Sequence, residues 1–271
     1  MTEIKLISIP NSPMATLVLN RPERRNALNP SLMEAFQKKL DALSQDPELR
    51  VLILKGEGEH FCAGADLVWM KESISLSAEE NEADAAMLRK LLSSLATFPV
   101  PIIALVQGAV FGGAIGLVAS CDIVLASPDA RFCFSETKLG LIPAVISPYV
   151  QYTMPLRVLQ RYWLTAEAFT AEEALAWHFI HKIAPRAEWR AILQGWLNQL
   201  LHNGPQALRM SKRWMRDMQL GETNEATLLA RGVGTLARMR QSPEAQEGIH
   251  AFFEKRSPQW ATTIQLEEGD V

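Results

Sequence analysis

Two glycine-rich segments and one glutamate hold the residues whose types and spacing suit chemistry. The first segment is HFCAGADL, residues 60–67, and the second is GAVFGGAIG, residues 108–116; each follows an apolar, strand-like run. Glycine lets a backbone turn sharply and lets a ligand come close to N–H groups. Two such loops can aim two N–H donors at one oxygen, which is what an oxyanion hole requires, and one such donor contributes on the order of 3 kcal/mol. Taken singly, each segment reads first as a tight turn followed by small-residue helix packing. The third element is Glu136, in RFCFSETKLGLIPAV, among Phe132, Phe134, Leu139 and Leu141. An apolar setting desolvates a carboxylate, raises its pKa and suits it to proton transfer near neutral pH. The alternative is a loop glutamate that caps the next turn.

Other chemistries are excluded by pattern. There is no G-x-x-x-x-G-K-[ST] phosphate loop and no G-x-S-x-G nucleophile elbow. Gly56 and Gly58 supply only the first half of a dinucleotide fingerprint. His178 and His181 lie three apart near a helix end without a third ligand, so no metal site is expected. Cys62, Cys121 and Cys133 lack disulfide-framework and metal-ligand spacing. Cys62 and Cys133 read as small buried residues, not nucleophiles. Arg209, Lys212, Arg213 and Arg216 cluster around Trp214 on a helix. They read as a solvated face, with RNA contact as the alternative. The charge balance is 27 basic against 30 acidic residues, net −3, and offers no overall attraction to nucleic acid or anionic lipid. No apolar run approaches the ~20 residues of a membrane span, and MTEIKLISIP carries neither a signal-peptide nor a transit-peptide pattern. A reduced, cytoplasmic protein is expected.

The elements that must position these residues alternate in the first half. Leu17–Leu19 is a short strand. Asn29 caps a helix with Pro30 at its first position and Leu32, Phe36, Leu40 and Leu43 on one face. Val51–Leu54 is a buried strand. Ser77 and Glu80 make a capping box for a helix carrying Leu88, Leu91, Leu92 and Leu95. Ile102–Val106 is a strand broken by Gly108; a buried helix follows within 108–122, then a strand at Ile123–Ala126. After Pro143 the character changes: Thr170 and Glu173 cap one helix, another spans Glu188–His202 and stops at Gly204 and Pro205, and from Pro205 to about Arg256 the pattern is nearly all helical. Strands alternating with helices, then helices, predict an α/β core over 1–203 and a helical region over 204–271. The 271 residues, 48% of them apolar, suffice for a sizeable core.

In combination and order, RNALN (25–29), FCAGADL (61–67), GAVFGGAIGLVASCD (108–122), FSETKLGLIP (134–143) and AFFEKRSP (251–258) resemble the crotonase superfamily of enoyl-CoA hydratases and isomerases. The resemblance spans nearly the whole chain. It implies a spiral of ββα units with a helical C-terminal trimerisation region, assembled as a trimer or dimer of trimers. It implies an acyl-CoA thioester substrate and no separate cofactor, coenzyme A being part of the substrate. By motif position the oxyanion donors would be Ala65 and Gly113, and Glu136 the catalytic carboxylate. Arg25, Ala27 and Leu28 resemble the coenzyme A-contacting segment. Ala63, Asp66, Leu67 and Val68 would line the nucleotide and pantetheine path, and Phe252 and Lys255 would add C-terminal contacts.

One position departs from the two-glutamate pattern of such hydratases. Gly116 stands where the second glutamate would be, and no carboxylate occurs between Gly108 and Cys121. A single glutamate can take a proton from water and return it to C2, or shuttle a proton between carbons as an isomerase does. The segment GLIPAVISPYV (140–150) resembles the branch acting on glutaconyl-type thioesters, the 3-methylglutaconyl-CoA and isohexenylglutaconyl-CoA hydratases. The expected activity is therefore reversible hydration of a branched, carboxylated enoyl-CoA, with Ser147 and Tyr149 facing the distal carboxylate. A helix-capping serine and a core tyrosine are the plainer reading of that pair. The alternatives are an enoyl-CoA isomerase, a general enoyl-CoA hydratase, and a non-enzymatic acyl-CoA- or RNA-binding protein.

Overall fold

A computed structural model describes residues 2–8, 12–219 and 225–267. In chain order the elements are β1 (Ile4–Ser8), β2 (Met14–Leu19), α1 (Pro30–Ser44), β3 (Val51–Gly56), α2 (Leu67–Glu72), α3 (Ala78–Ala96), β4 (Ile102–Val106), β5 (Ala109–Phe111), α4 (Gly113–Ala119), β6 (Ile123–Ala126) and β7 (Arg131–Cys133). There follow α5 (Ser147–Val150), α6 (Leu156–Thr165), β8 (Ala168–Thr170), α7 (Ala171–Ala176), β9 (Lys182–Ile183), α8 (Trp189–His202), α9 (Pro205–Gln219), α10 (Glu225–Arg240) and α11 (Pro243–Phe253). A short 3₁₀ turn, Glu136–Leu139, lies between β7 and α5. The α/β class expected from the alternation is the class observed.

The chain divides into two compact units, Met1–Phe98 with Ile102–Trp189, and Pro99–Pro101 with Arg190–Val271. The division falls at Trp189–Arg190, so most of α8 goes with the second unit, whereas the sequence reading placed the boundary at 203/204. The first unit is built on a six-stranded sheet in the order β1-β2-β3-β4-β6-β9. Only the β1–β2 pair is antiparallel. Strands covered on both faces need apolar residues at every position rather than at alternate ones, and β2, β4 and Val51–Leu54 are buried throughout. A second sheet, β5-β7-β8, pairs β5 parallel and β8 antiparallel with β7. Strands β8 and β9 lie within the expected α/β core, although the sequence reading did not place them. At three and two residues they are too short to set up a readable period of two.

The capping signals form as read. Asn29 accepts from Leu32 N–H at 2.8 Å, and both capping boxes close, Ser77 with Glu80 and Thr170 with Glu173. In the second unit the Glu244 carboxylate takes the N–H groups of Gln206 and Ala207, so a residue from α11 satisfies the start of α9. Lys212 is buried and its ammonium donates to Val100 carbonyl at 3.0 Å. That removes the central cation of the basic cluster from any nucleic-acid face. Among the described residues no helix is long and apolar enough to cross a membrane.

Candidate functional site

Strands β3 and β4 pair in parallel, with Leu52 opposite Ile102 and Lys55 opposite Leu105. The loops that follow them therefore leave from the same edge of the sheet, the carboxyl edge where open α/β sheets bind ligands. Backbone bonds then fasten loop to loop. Phe61 N–H donates to Gln107 carbonyl, Cys62 N–H to Ala109 carbonyl, and Phe111 N–H to Cys62 carbonyl. The RNALN segment runs along the first loop. Ala63 N–H donates to Arg25 carbonyl, Leu28 N–H to Gly64 carbonyl at 2.7 Å, and Asp66 N–H to Leu28 carbonyl. Leu28 also reaches the second loop, its Cδ1 lying 3.2 Å from where a side chain on Gly113 would begin. One residue thus spaces Ala65 from Gly113. Both are half-buried, and among the described residues neither the Ala65 N–H nor the Gly113 N–H has an acceptor.

Glu136 stands beside the second loop. Gly112 N–H donates to Cys133 carbonyl, which ties the second loop to β7 just before the glutamate. A side chain on Gly112 would begin 3.5 Å from Glu136 Oε1, and the residue's φ of +52° suits glycine, so the carboxylate packs against bare backbone. Below it, Phe132 stacks on Phe169 at 5.2 Å and Phe134 meets Trp163 edge-on at 5.9 Å. Thr137 Oγ1 donates to Trp163 carbonyl and pins the turn to α6. Glu136 Oε2 is fully covered and has no hydrogen-bond partner. Burial pushes this carboxyl above the usual range, opposed only by its own backbone N–H. The covering that removes water from Glu136 also withholds the compensating donors a structural carboxylate would have.

Asp66 has the opposite surroundings. It caps α2 by accepting from Val68 N–H at 2.9 Å and takes Arg21 Nη2 at 3.0 Å. Burial works to raise its pKa, but the Val68 N–H and the Arg21 guanidinium outweigh that and hold the carboxyl below the usual range. Arg21 Nη1 donates to Ala27 carbonyl as well. Asp66, Val68, Arg21, Arg24 and Trp69 line a cavity of about 350 Å³. Val68 is exposed there, and Leu67, next to it in the chain, is exposed outside that lining. Arg25, Ala27, Leu28, Ala63, Ala65, Asp66, Leu67, Val68, Gly113 and Glu136 all belong to the first unit. Phe252 and Lys255 belong to the second and are exposed there. Ser147 donates its one hydroxyl proton to Ala144 carbonyl at 2.8 Å, and Tyr149 is buried.

Two residues outside the sequence reading hold the site in place. Asn26, with φ +55°, is fully buried; its amide donates to the carbonyls of Glu57 and His60 and accepts Arg21 N–H. An asparagine inside a turn-like RNALN run was the available signal, because asparagine tolerates left-handed backbone. Ile146 fills the space beside Gly116, at 2.6 Å from where a side chain there would begin. The thiols take no part as nucleophiles. Burial pushes Cys62 up to about 12. Burial raises Cys133 too, with Lys138 opposing and Glu136 adding to the rise.

A family model described as enoyl-CoA hydratase/isomerase matches residues 10–263. The chain belongs to the enoyl-CoA hydratase/isomerase family. An enoyl-CoA hydratase from Shewanella pealeana superposes with a TM-score of 0.91 at 41% identity, over 95% of this chain and 96% of that one. Among sequence relatives, the mevalonyl-coenzyme A hydratase of Aspergillus fumigatus is 30% identical over 94% of both chains. The mitochondrial methylglutaconyl-CoA hydratase of mouse is 30% identical over 92% of this chain and 80% of its own. The fold is the crotonase fold of these hydratases, and the family's reaction class, chemistry on an enoyl-CoA thioester, applies to this chain.

Proposed function

We propose that this chain hydrates an α,β-unsaturated acyl-CoA, with Ala65 and Gly113 N–H receiving the thioester oxygen and Glu136 moving the proton. The observation that carries this reading is the Glu136 carboxylate, desolvated and unpartnered at Oε2 and packed against Gly112 next to Gly113, one of two backbone donors without acceptors among the described residues. Water attacks C3 while Glu136 accepts one of its protons. The C2=C3 electron pair moves onto the thioester oxygen, where two preorganised N–H groups stabilise the charge. The enolate then collapses, and C2 takes the proton from Glu136. The second water hydrogen stays on the new hydroxyl.

The preferred substrate is a branched, carboxylated thioester of the 3-methylglutaconyl type. Support comes from the GLIPAVISPYV segment and from the 30% identity to methylglutaconyl-CoA hydratase. Isomerisation is the second reading, favoured by the presence of one carboxylate and a glycine at 116. Mass spectrometry of the protein incubated with 3-methylglutaconyl-CoA, crotonyl-CoA and a 3-enoyl-CoA separates these. Gain of one water on the first, at least tenfold faster than on the second, supports the proposal. A shifted double bond in the 3-enoyl thioester without water gain contradicts it and selects the isomerase. Tyr149→Phe is expected to raise KM for the carboxylated substrate alone; equal effects on crotonyl-CoA remove Tyr149 from substrate recognition.

A further inference from the structure

The backbones that carry the Ala65 and Gly113 N–H groups are linked twice, once inside the protein and once at its surface. The inner link is Leu28. It is 2% exposed, its N–H donates to Gly64 carbonyl, its carbonyl accepts from Asp66 N–H, and its Cδ1 lies 3.2 Å from where a side chain on Gly113 would begin. The outer link runs through α2 and α3. Ala65 leads directly into Asp66, which caps α2 by accepting from Val68 N–H. Trp69, on α2, donates its indole N–H to Asp84 Oδ1, on α3, at 2.9 Å. Leu88 follows Asp84 by one turn on the same face of α3, and its Cδ2 also lies 3.2 Å from where a side chain on Gly113 would begin.

Burial does not hold this outer link. None of residues 67–90 is buried. The side-chain hydrogen bonds of Ser73, Ser75, Ser77 and Asn81 reach only three to five residues along the chain. A segment with so few buried contacts opens at low cost, so one bond from helix to helix has more influence here than in a packed core. The Trp69–Asp84 bond spans fifteen residues and joins the two helices. Hydrogen bonds to carboxylates are among the stronger kinds.

We propose that Trp69 and Asp84 are a positioning pair for the thioester reaction. Their hydrogen bond ties α2 to α3. Through Asp66 at one end and Leu88 at the other, it keeps the Ala65 and Gly113 N–H groups at the spacing that a developing oxyanion requires. Neither side chain touches a reacting atom. The inference rests on Ala65 and Gly113 being the oxyanion donors of the proposed hydratase.

A double-mutant cycle with steady-state kinetics on the hydrated thioester tests the pair. Trp69→Phe keeps a ring and removes the N–H, and Asp84→Ala removes the acceptor. Oxyanion donors act on the transition state, so the loss is expected in kcat, about three- to thirtyfold for each variant. KM is expected to change by less than about twofold. The double variant is expected to fall no further than the weaker single one. Asp84→Asn keeps a carbonyl acceptor and is expected to retain at least about half of the wild-type kcat. Tm is expected to stay within about 3 °C of the wild type throughout, because no buried residue is altered. Losses that multiply in the double variant, a change in KM alone, an Asp84→Asn protein as impaired as Asp84→Ala, or a kcat loss matched by a large fall in Tm overturn the inference. Wild-type protein that hydrates no enoyl-CoA thioester overturns the hydratase reading and this inference with it. Wild-type turnover that Trp69→Phe leaves undiminished overturns the pair alone.

Discussion

Asp66 on the first glycine-rich loop and Glu136 on the turn after β7 are two carboxylates that the fold treats in opposite ways. Asp66 is 7% exposed, yet it has a backbone N–H and a guanidinium and is held ionised. Glu136 is less enclosed as a whole residue, yet its Oε2 is covered and unpartnered, and its carboxyl is pushed up. Burial alone therefore does not decide a carboxylate's state; what it is buried against does. Asp66 holds the first loop and the start of α2 in place. Glu136 keeps its Oε2 without a partner, and in the proposed function it is the group that moves the proton. A folded protein bears the cost of an unsatisfied group where function requires it.

Breaking the reactive half of this contrast gives the largest effect. Glu136→Gln keeps the shape and removes the titrating group, so kcat for thioester hydration is expected to fall by about 10²–10⁴. Binding of a coenzyme A thioester, measured by calorimetry, is expected to change little. Retained turnover would show that the proton moves elsewhere.

The same substitution sharpens the comparison through stability, where the two carboxylates carry opposite signs. A carboxyl whose folded pKa is raised binds its proton more tightly in the native state. Its contribution is complete below the unfolded glutamate value of about 4.3 and is lost as pH rises through the folded value. Above the unfolded value the raised Glu136 carboxyl therefore weighs against folding, and at pH 7–8 Glu136→Gln is expected to melt higher than the wild type. That difference should vanish below about pH 4. Asp66 runs the other way. Its stabilisation is present above about pH 3.9 and disappears as pH falls through its lowered folded value. Asp66→Ala is expected to cost about 1–2 kcal/mol at pH 7 through the lost cap, with a smaller penalty in acid. Thermal melts across pH 3–8 check both; parallel curves for the two variants would erase the contrast.

Much of this site was legible in the sequence because its signals are local. The two glycine segments, the capping pairs at 77/80 and 170/173, and a glutamate between phenylalanines and leucines can each be read within about ten residues. The unbroken apolar runs at Val51–Leu54 and Ile102–Val106 already implied strands covered on both faces, and parallel pairing places both loops at one edge. What escaped depends on contacts between distant residues. Gly116 marked an absence in the sequence, but only the fold shows that Ile146, thirty residues on, stands in the gap. The basic cluster around Trp214 loses its centre because Lys212 reaches Val100, more than a hundred positions away. Ser147 showed its residue type but not that its hydroxyl proton is given to Ala144.

The most direct measurement is the pH dependence of kcat/KM for hydration of the preferred thioester by the wild type, with Asp66→Asn measured beside it. The account predicts a rising limb with an apparent pKa above the ordinary glutamate value of about 4.3, unmoved by the Asp66 substitution, because the group being titrated is the desolvated Glu136. A limb at or below that value, or one that shifts with Asp66, would contradict the assignment of proton transfer to Glu136.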